Sequence, residues 1–127
     1  MSNARKLTLT DNEISNCYIG FKGGVVQASN TYLYVIGGVF KNNAAIAGGA
    51  IYVSSCFYSE ISGATFTDNY AAQGGAIYAD TGSILKIFGD TVFRGNGAIY
   101  DGGAIKMTNL AVLETEDVIV EYNWSIY

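Results

Sequence analysis

No proline and no histidine occur in the 127 residues, cysteine appears twice, and no apolar run approaches the roughly 18 to 20 residues of a membrane-spanning helix. Each absence narrows the field. Without histidine, and with Cys17 and Cys56 forming no Cys-x-x-Cys pair, the chain offers neither a zinc ligand set nor an activated thiol. Repeat phasing sets the two cysteines at different corners of non-adjacent turns, which disfavours a disulfide. No cofactor is expected. Charge is also scarce: 7 Lys or Arg stand against 11 Asp or Glu, for a net charge of −4. The cations Arg5, Lys6, Lys22, Lys41, Lys86, Arg94 and Lys106 are scattered, so no basic stripe follows a phosphate backbone and nucleic acid is not expected as a partner. Glu114, Glu116, Asp117 and Glu121 tint the last segment acidic and read as a solvated face.

The missing proline is positive information. Proline cannot donate to a sheet ladder, so a chain with none suits strands that are paired on both sides. Half the residues are apolar, which argues against disorder. What is abundant is glycine, and it is periodic. Gly-Gly-Ala-Ile occurs at Gly48–Ile51, Gly74–Ile77 and Gly102–Ile105, with a looser copy at Gly23-Gly24-Val25-Val26. Successive copies start 25, 26 and 28 residues apart, a period typical of stacked repeats. A second motif keeps the same phase: an apolar residue followed three positions later by a small polar one, at Ile14/Cys17, Phe40/Asn43, Phe66/Asn69, Phe93/Asn96 and Val120/Asn123.

One repeat, Gly48 to Gln73, reads as three short segments rich in β-branched and aromatic residues, separated by Ser, Gly, Asp and Asn. Glycine is too dense, and each segment too short, for helix. The spacing predicts an all-β fold: a right-handed, single-stranded parallel β-helix with three short strands per turn and about four to five turns. Residues 1–127 read as one module, a segment of a longer solenoid or a filament-forming unit, and Met1–Lys6 lacks the apolar stretch of a secretory signal.

Strand alternation assigns the faces. Val26, Ile51, Ile77 and Ile105 form one interior ladder, and Ile14, Phe40, Phe66, Phe93 and Val120 a second. Cys17, Asn43, Asn69, Asn96 and Asn123 form a polar ladder where the chain bends, with Asn tolerating the unusual dihedrals there. The pairs Gly23/Gly24, Gly48/Gly49, Gly74/Gly75 and Gly102/Gly103 turn corners and let the next turn approach. Tyr34, Tyr52, Tyr58 and Tyr78 fall on outer faces. Their rings suit contact with protein or carbohydrate, or simply stack along the sheet.

These phased motifs resemble the polymorphic membrane protein repeats of chlamydiae, defined by Gly-Gly-Ala-(Ile/Leu/Val) with Phe-x-x-Asn; similar repeats occur in ciliate proteins. The resemblance covers nearly the whole chain and departs from the pattern at Ile14/Cys17 and Val120/Asn123. It implies a right-handed parallel β-helix of a secreted or surface-displayed protein, with adhesion as the activity. Partners would be neighbouring repeats, a second copy stacked end to end, or a host or cell-surface protein or glycan. No membrane insertion by this segment is expected.

Parallel β-helices also carry polysaccharide lyases and hydrolases, whose sites need clustered carboxylates. The outward positions of the Gly-Gly strand are Gln27, Tyr52, Tyr78 and Lys106, with no stacked acids, while Asp68, Asp80, Asp90 and Asp101 fall at turns. A non-catalytic module is the expectation, and a carbohydrate-active enzyme the competing class. Asp101-Gly102-Gly103 lacks the spacing of calcium-binding nonapeptides, and metal is not expected. Asn123-Trp124-Ser125 forms a glycosylation sequon whose Asn belongs to the polar ladder.

Overall fold

The computed structural model describes residues 5–20 and 25–126. Short strands wind through four parallel sheets in turn, so the fold is a parallel β-solenoid of about four turns. The first sheet stacks Arg5–Thr10, Thr31–Ile36, Ser59–Ser62, Ile84–Phe88 and Val112–Thr115. The second stacks Glu13–Ser15, Val39–Lys41, Thr65–Thr67, Thr91–Arg94 and Val118–Glu121. The third contains Ala44–Ala47, Tyr70–Gln73, Gly97–Asp101 and Trp124–Ser125; the fourth contains Val26–Ser29, Ile51–Ser54, Ile77–Asp80 and Ile105–Met107.

Four strands per turn replace the three predicted from the sequence. The added strand is the segment between the ladder Asn and the Gly-Gly pair, exemplified by Tyr70–Gln73. Its composition, rich in Ala and Gly and poor in β-branched residues, hides it from propensity, and pairing with the coils on either side makes it a strand.

The corners use residues in the left-handed region. Between the first and second sheets these are Asp11, Gly37, Gly38, Gly63, Gly89, Asp90 and Asp117; between the second and third they are Asn16, Asn42, Asp68, Gly95 and Tyr122. The left-handed residue therefore immediately precedes each ladder position, and Asn43, Asn69 and Asn96 themselves keep negative φ. This corrects the expectation that the ladder Asn absorbs the unusual dihedral. Its amide is occupied with hydrogen bonding, and a neighbouring Asn, Asp or Gly takes the bend at low steric cost.

The two tasks expected of each glycine pair, turning the corner and admitting the next coil, divide between its members. Only the first glycine takes the left-handed dihedral: Gly48, Gly74 and Gly102 have φ of 69°, 65° and 67°. Gly49, Gly75 and Gly103 keep φ outside that region, so they are not corner residues in the dihedral sense. Their constraint is space. A Cβ at Gly49 would overlap the carbonyl oxygen of Gly75 and the backbone of Tyr70 in the next coil, and one at Gly75 would overlap the carbonyl oxygens of Gly103 and Gly97. At Gly103 the obstacle is the backbone of Trp124. Gly49 and Gly75 are accordingly buried within the stack. Gly23 and Gly24 lie outside the described residues.

Inside, the ladders run in register. Phe40, Phe66 and Phe93 are fully buried and stack at 4.8 Å between centroids, nearly coplanar at 8° and 5°. Each ring contributes about 2 to 3 kcal/mol relative to exposure. Across the core, Ile51 and Ile77 are fully buried between Val26 and the partly buried Ile105. The first sheet adds the column Leu7, Leu33, Ser59, Leu85, Leu113. Ser59 is the anomaly, a fully buried hydroxyl with no hydrogen-bond partner between two leucines.

Candidate functional site: the open end and the outer faces

The polar ladder is a continuous chain of amides. The Oδ1 of Asn69 accepts from both the backbone N–H and the Nδ2 of Asn43 at 3.1 Å, while its own Nδ2 donates to Phe40 O and to Asn96 Oδ1 at 3.0 Å. Asn96 repeats the pattern on Asn123 at 2.9 Å and on Phe66 O at 3.0 Å. At the first coil the ladder starts at Cys17, whose N–H donates to Asn43 Oδ1 at 3.1 Å. Cys17 has no amide to receive bonds from a preceding coil. The sequon Asn123 is tied in as well: its Oδ1 accepts from Asn96, and its Nδ2 donates to Phe93 O at 2.9 Å. Both cysteines are free, Cys56 fully buried and Cys17 partly so.

Among the described residues, the last coil has the ladder positions and no coil follows it. Val120, in register with Phe93, is 59% exposed, whereas Phe93 is fully buried. Leu113, Val118, Val120, Ile105 and Trp124 line a concave end of about 400 Å³. The donors that Asn96 directs at Asn123 have their counterparts on Asn123 itself, aimed out of this end. Glu114, Glu116 and Asp117 are exposed around it, and the carboxylate of Glu121 accepts from Arg94 Nε at 2.6 Å. At the opposite end the first strand carries Arg5 and Lys6, both exposed, beside the ladder residues Leu7, Leu9 and Ile14.

The four tyrosines singled out from the sequence do not form one surface. Tyr52 and Tyr78 are stacked on the fourth sheet at 5.4 Å and 19°. Tyr52 is only 5% exposed, contrary to the outer-face expectation, because Tyr78 covers its ring and its hydroxyl donates to Asp80 Oδ2 at 3.3 Å. Asp80 joins three coils: its Oδ1 also accepts from Thr108 at 2.9 Å, Asn109 Nδ2 at 2.6 Å and the Thr81 N–H at 2.7 Å. Burial pushes this carboxyl upward, but the hydrogen bonds from Asn109, Thr108, Thr81 and Tyr52 outweigh it and hold the pKa below the usual value. Tyr34 and Tyr58 belong to the first-sheet side. Lys6 Nζ sits 4.9 Å from the Tyr34 ring centroid, and Tyr58 donates to Glu60 Oε1 at 2.6 Å. That bond to a carboxylate, with some burial and the negative charge of Glu60, pushes the Tyr58 phenol up to about 12.

Another aromatic set escapes strand alternation because it lies on the strand that propensity hides. Tyr18, Tyr70 and Trp124 each directly follow a ladder residue, and Ala44 and Gly97 hold that place in the intervening coils. The signal was available as an alternation of large and small residues, read from one repeat to the next.

No curated protein and no solved structure matches the chain. Residues 63–80, which contain both Phe66-x-x-Asn69 and Gly74-Gly75-Ala76-Ile77, match the Chlamydia polymorphic membrane protein repeat. A β-solenoid carrying that repeat fits a structural module of a surface protein.

Proposed function

We propose that this chain is a rigid, non-catalytic segment of a cell-surface or extracellular protein, serving as stalk and adhesive module, and that it extends by stacking end to end. We take its winding to be right-handed, as parallel crossovers almost always are. The observation that carries the reading is the in-register parallel stacking of coil on coil, which leaves a strand edge at each end of the described stack. Such an edge is a template for another strand. Continuing the register from the last coil into the first coil of a second copy sets Leu7 on Leu113, Leu9 on Thr115 and Ile14 on Val120, with Arg5 and Lys6 approaching an acidic rim.

The weak point of that joint is Cys17, which would meet Asn123 without an amide oxygen to accept its two donors. Light scattering across protein concentration, with negative-stain microscopy, tests the reading. Concentration-dependent growth into filaments is expected, weakened by Val120→Lys and strengthened by Cys17→Asn. A strictly monomeric particle at all concentrations would sink it.

A further inference from the structure

The third sheet differs from the first and second in what it shows to solvent. Its strands Ala44–Ala47, Tyr70–Gln73, Gly97–Asp101 and Trp124–Ser125 contain one charged residue, Asp101, and the Oδ2 of that side chain is paired with Lys106 at 2.9 Å. The first sheet by contrast carries Arg5, Lys6, Glu60, Lys86 and Glu114, and the second Glu13, Lys41, Arg94 and Glu121.

Along the third sheet runs a column with aromatic residues in alternate coils. Tyr18 bridges to Ala44, Ala44 pairs with Tyr70, Tyr70 with Gly97, and Gly97 with Trp124. Tyr18, Tyr70 and Trp124 are 82%, 37% and 46% exposed. The small residues between them govern how the rings lie. A Cβ at Gly97 would overlap the six-membered ring of Trp124, so the indole rests on the bare glycine backbone at the rim of the concave end. Tyr70 leans in from the other side until the two rings are 5.8 Å apart and tilted by 38°. With coils about 4.8 Å apart, the column from Tyr18 to Trp124 extends roughly 19 Å along the solenoid axis.

We propose that this column is a binding platform for a neutral, extended β-linked polysaccharide lying along the solenoid axis. The chemistry follows from three features. A partly exposed aromatic ring on a sheet packs against the C–H face of a pyranose, as aromatic side chains with a polar tip do against mixed surfaces. A strip of rings several coils long matches a linear polymer better than a compact ligand. The near absence of charge leaves nothing to attract an anionic or cationic chain, while the Tyr hydroxyls and the Gln73 amide supply neutral hydrogen-bonding groups. This gives the adhesive part of the preceding reading a ligand class.

Trp124 is the single tryptophan of the chain and borders both this column and the concave end, so its fluorescence reports on this site once stacking is suppressed. The test titrates the full chain, carrying Val120→Lys to suppress stacking, with cello- and chito-oligosaccharides, with a polyanionic oligosaccharide, and with a cell-surface protein before and after deglycosylation. A saturable emission change with a neutral oligosaccharide is expected. Tyr70→Ala should weaken it about tenfold or more while far-ultraviolet dichroism stays unchanged, and Tyr58→Ala on the first-sheet side should leave it intact. Absence of a saturable response to either neutral series overturns the proposal, as does equal affinity for the polyanion or an effect of Tyr58→Ala matching that of Tyr70→Ala. Undiminished binding of the deglycosylated protein overturns it in favour of a protein partner. End-to-end stacking is scored separately by light scattering of the unsubstituted chain, so each reading can fail alone.

Discussion

Phe66 and Val120 occupy the same place in the repeat, the inner face of the second sheet, yet one is fully buried and the other 59% exposed. The difference lies in the neighbours. A middle coil is closed above and below, whereas the last coil presents ladder, amide donors and strand edge to solvent. In a solenoid each coil is stabilised mainly through its interfaces with adjacent coils, so equal sequence does not give equal stability. Within the described residues, the middle coil is thus where the structure most resists change.

Substitutions in the middle coil should break this contrast most sharply. Gly75→Val would drive a branched side chain into the backbone of the next coil. A loss of more than about 4 kcal/mol is expected, seen as failure to give a cooperative thermal transition. Phe66→Ala should cost about 3 to 5 kcal/mol in urea unfolding, against less than about 1 kcal/mol for Val120→Ala, because only the first leaves a cavity in a closed core. Equal losses at the two sites would show that the last coil is as well covered as the middle.

Asn69→Ala strands several buried groups, among them the Asn43 N–H and the Phe40 carbonyl, and should cost about 4 kcal/mol at about 1 to 3 kcal/mol for each important orphan. Asn123→Ala, at the open end, should cost less than half as much. The contrast also allows a gain: Ser59→Ala removes the unpartnered hydroxyl of the closed core and should raise stability by about 1 kcal/mol in the same urea assay.

The smallest effect concerns pH. Since the folded-state pKa of Asp80 is lowered, its stabilisation is present above the unfolded pKa near 3.8 and is lost as pH falls through the folded value. Urea midpoints measured from pH 6 downward should therefore fall on the acid side, with a shallower fall in Asp80→Asn. Identical acid profiles for the two proteins would remove Asp80 as a contributor.

Much of this architecture was legible because a solenoid writes its fold as a period. The ladders Phe40/Phe66/Phe93 and Ile51/Ile77/Ile105 could be aligned by phase alone, and each residue then pairs with its counterpart one coil away. The third sheet was not legible: Ala, Gly and Gln have no strong strand preference, and only pairing with coils on both sides makes Tyr70–Gln73 a strand. The same cause concealed Tyr18, Tyr70 and Trp124, whose outward position depends on that sheet. Tyr52 failed differently. Alternation sets the direction of a side chain but cannot say that Tyr78 and Asp80 will cover it. Nor could two adjacent glycines be told apart by spacing: Gly48 bends the chain while Gly49 only makes room for the coil above, and that division depends on where Gly75 and Tyr70 lie.

By itself the sequence determined the repeat length, the parallel stacking and the interior ladders, because these follow from spacing and from local preferences repeated in phase. Only the tertiary structure decided the number of sheets, the division of the Gly-Gly pair into a dihedral task and a proximity task, the shielding of Tyr52 and the exposure of the last coil. Each of these depends on what lies one coil away, and contacts across that distance are made by packing.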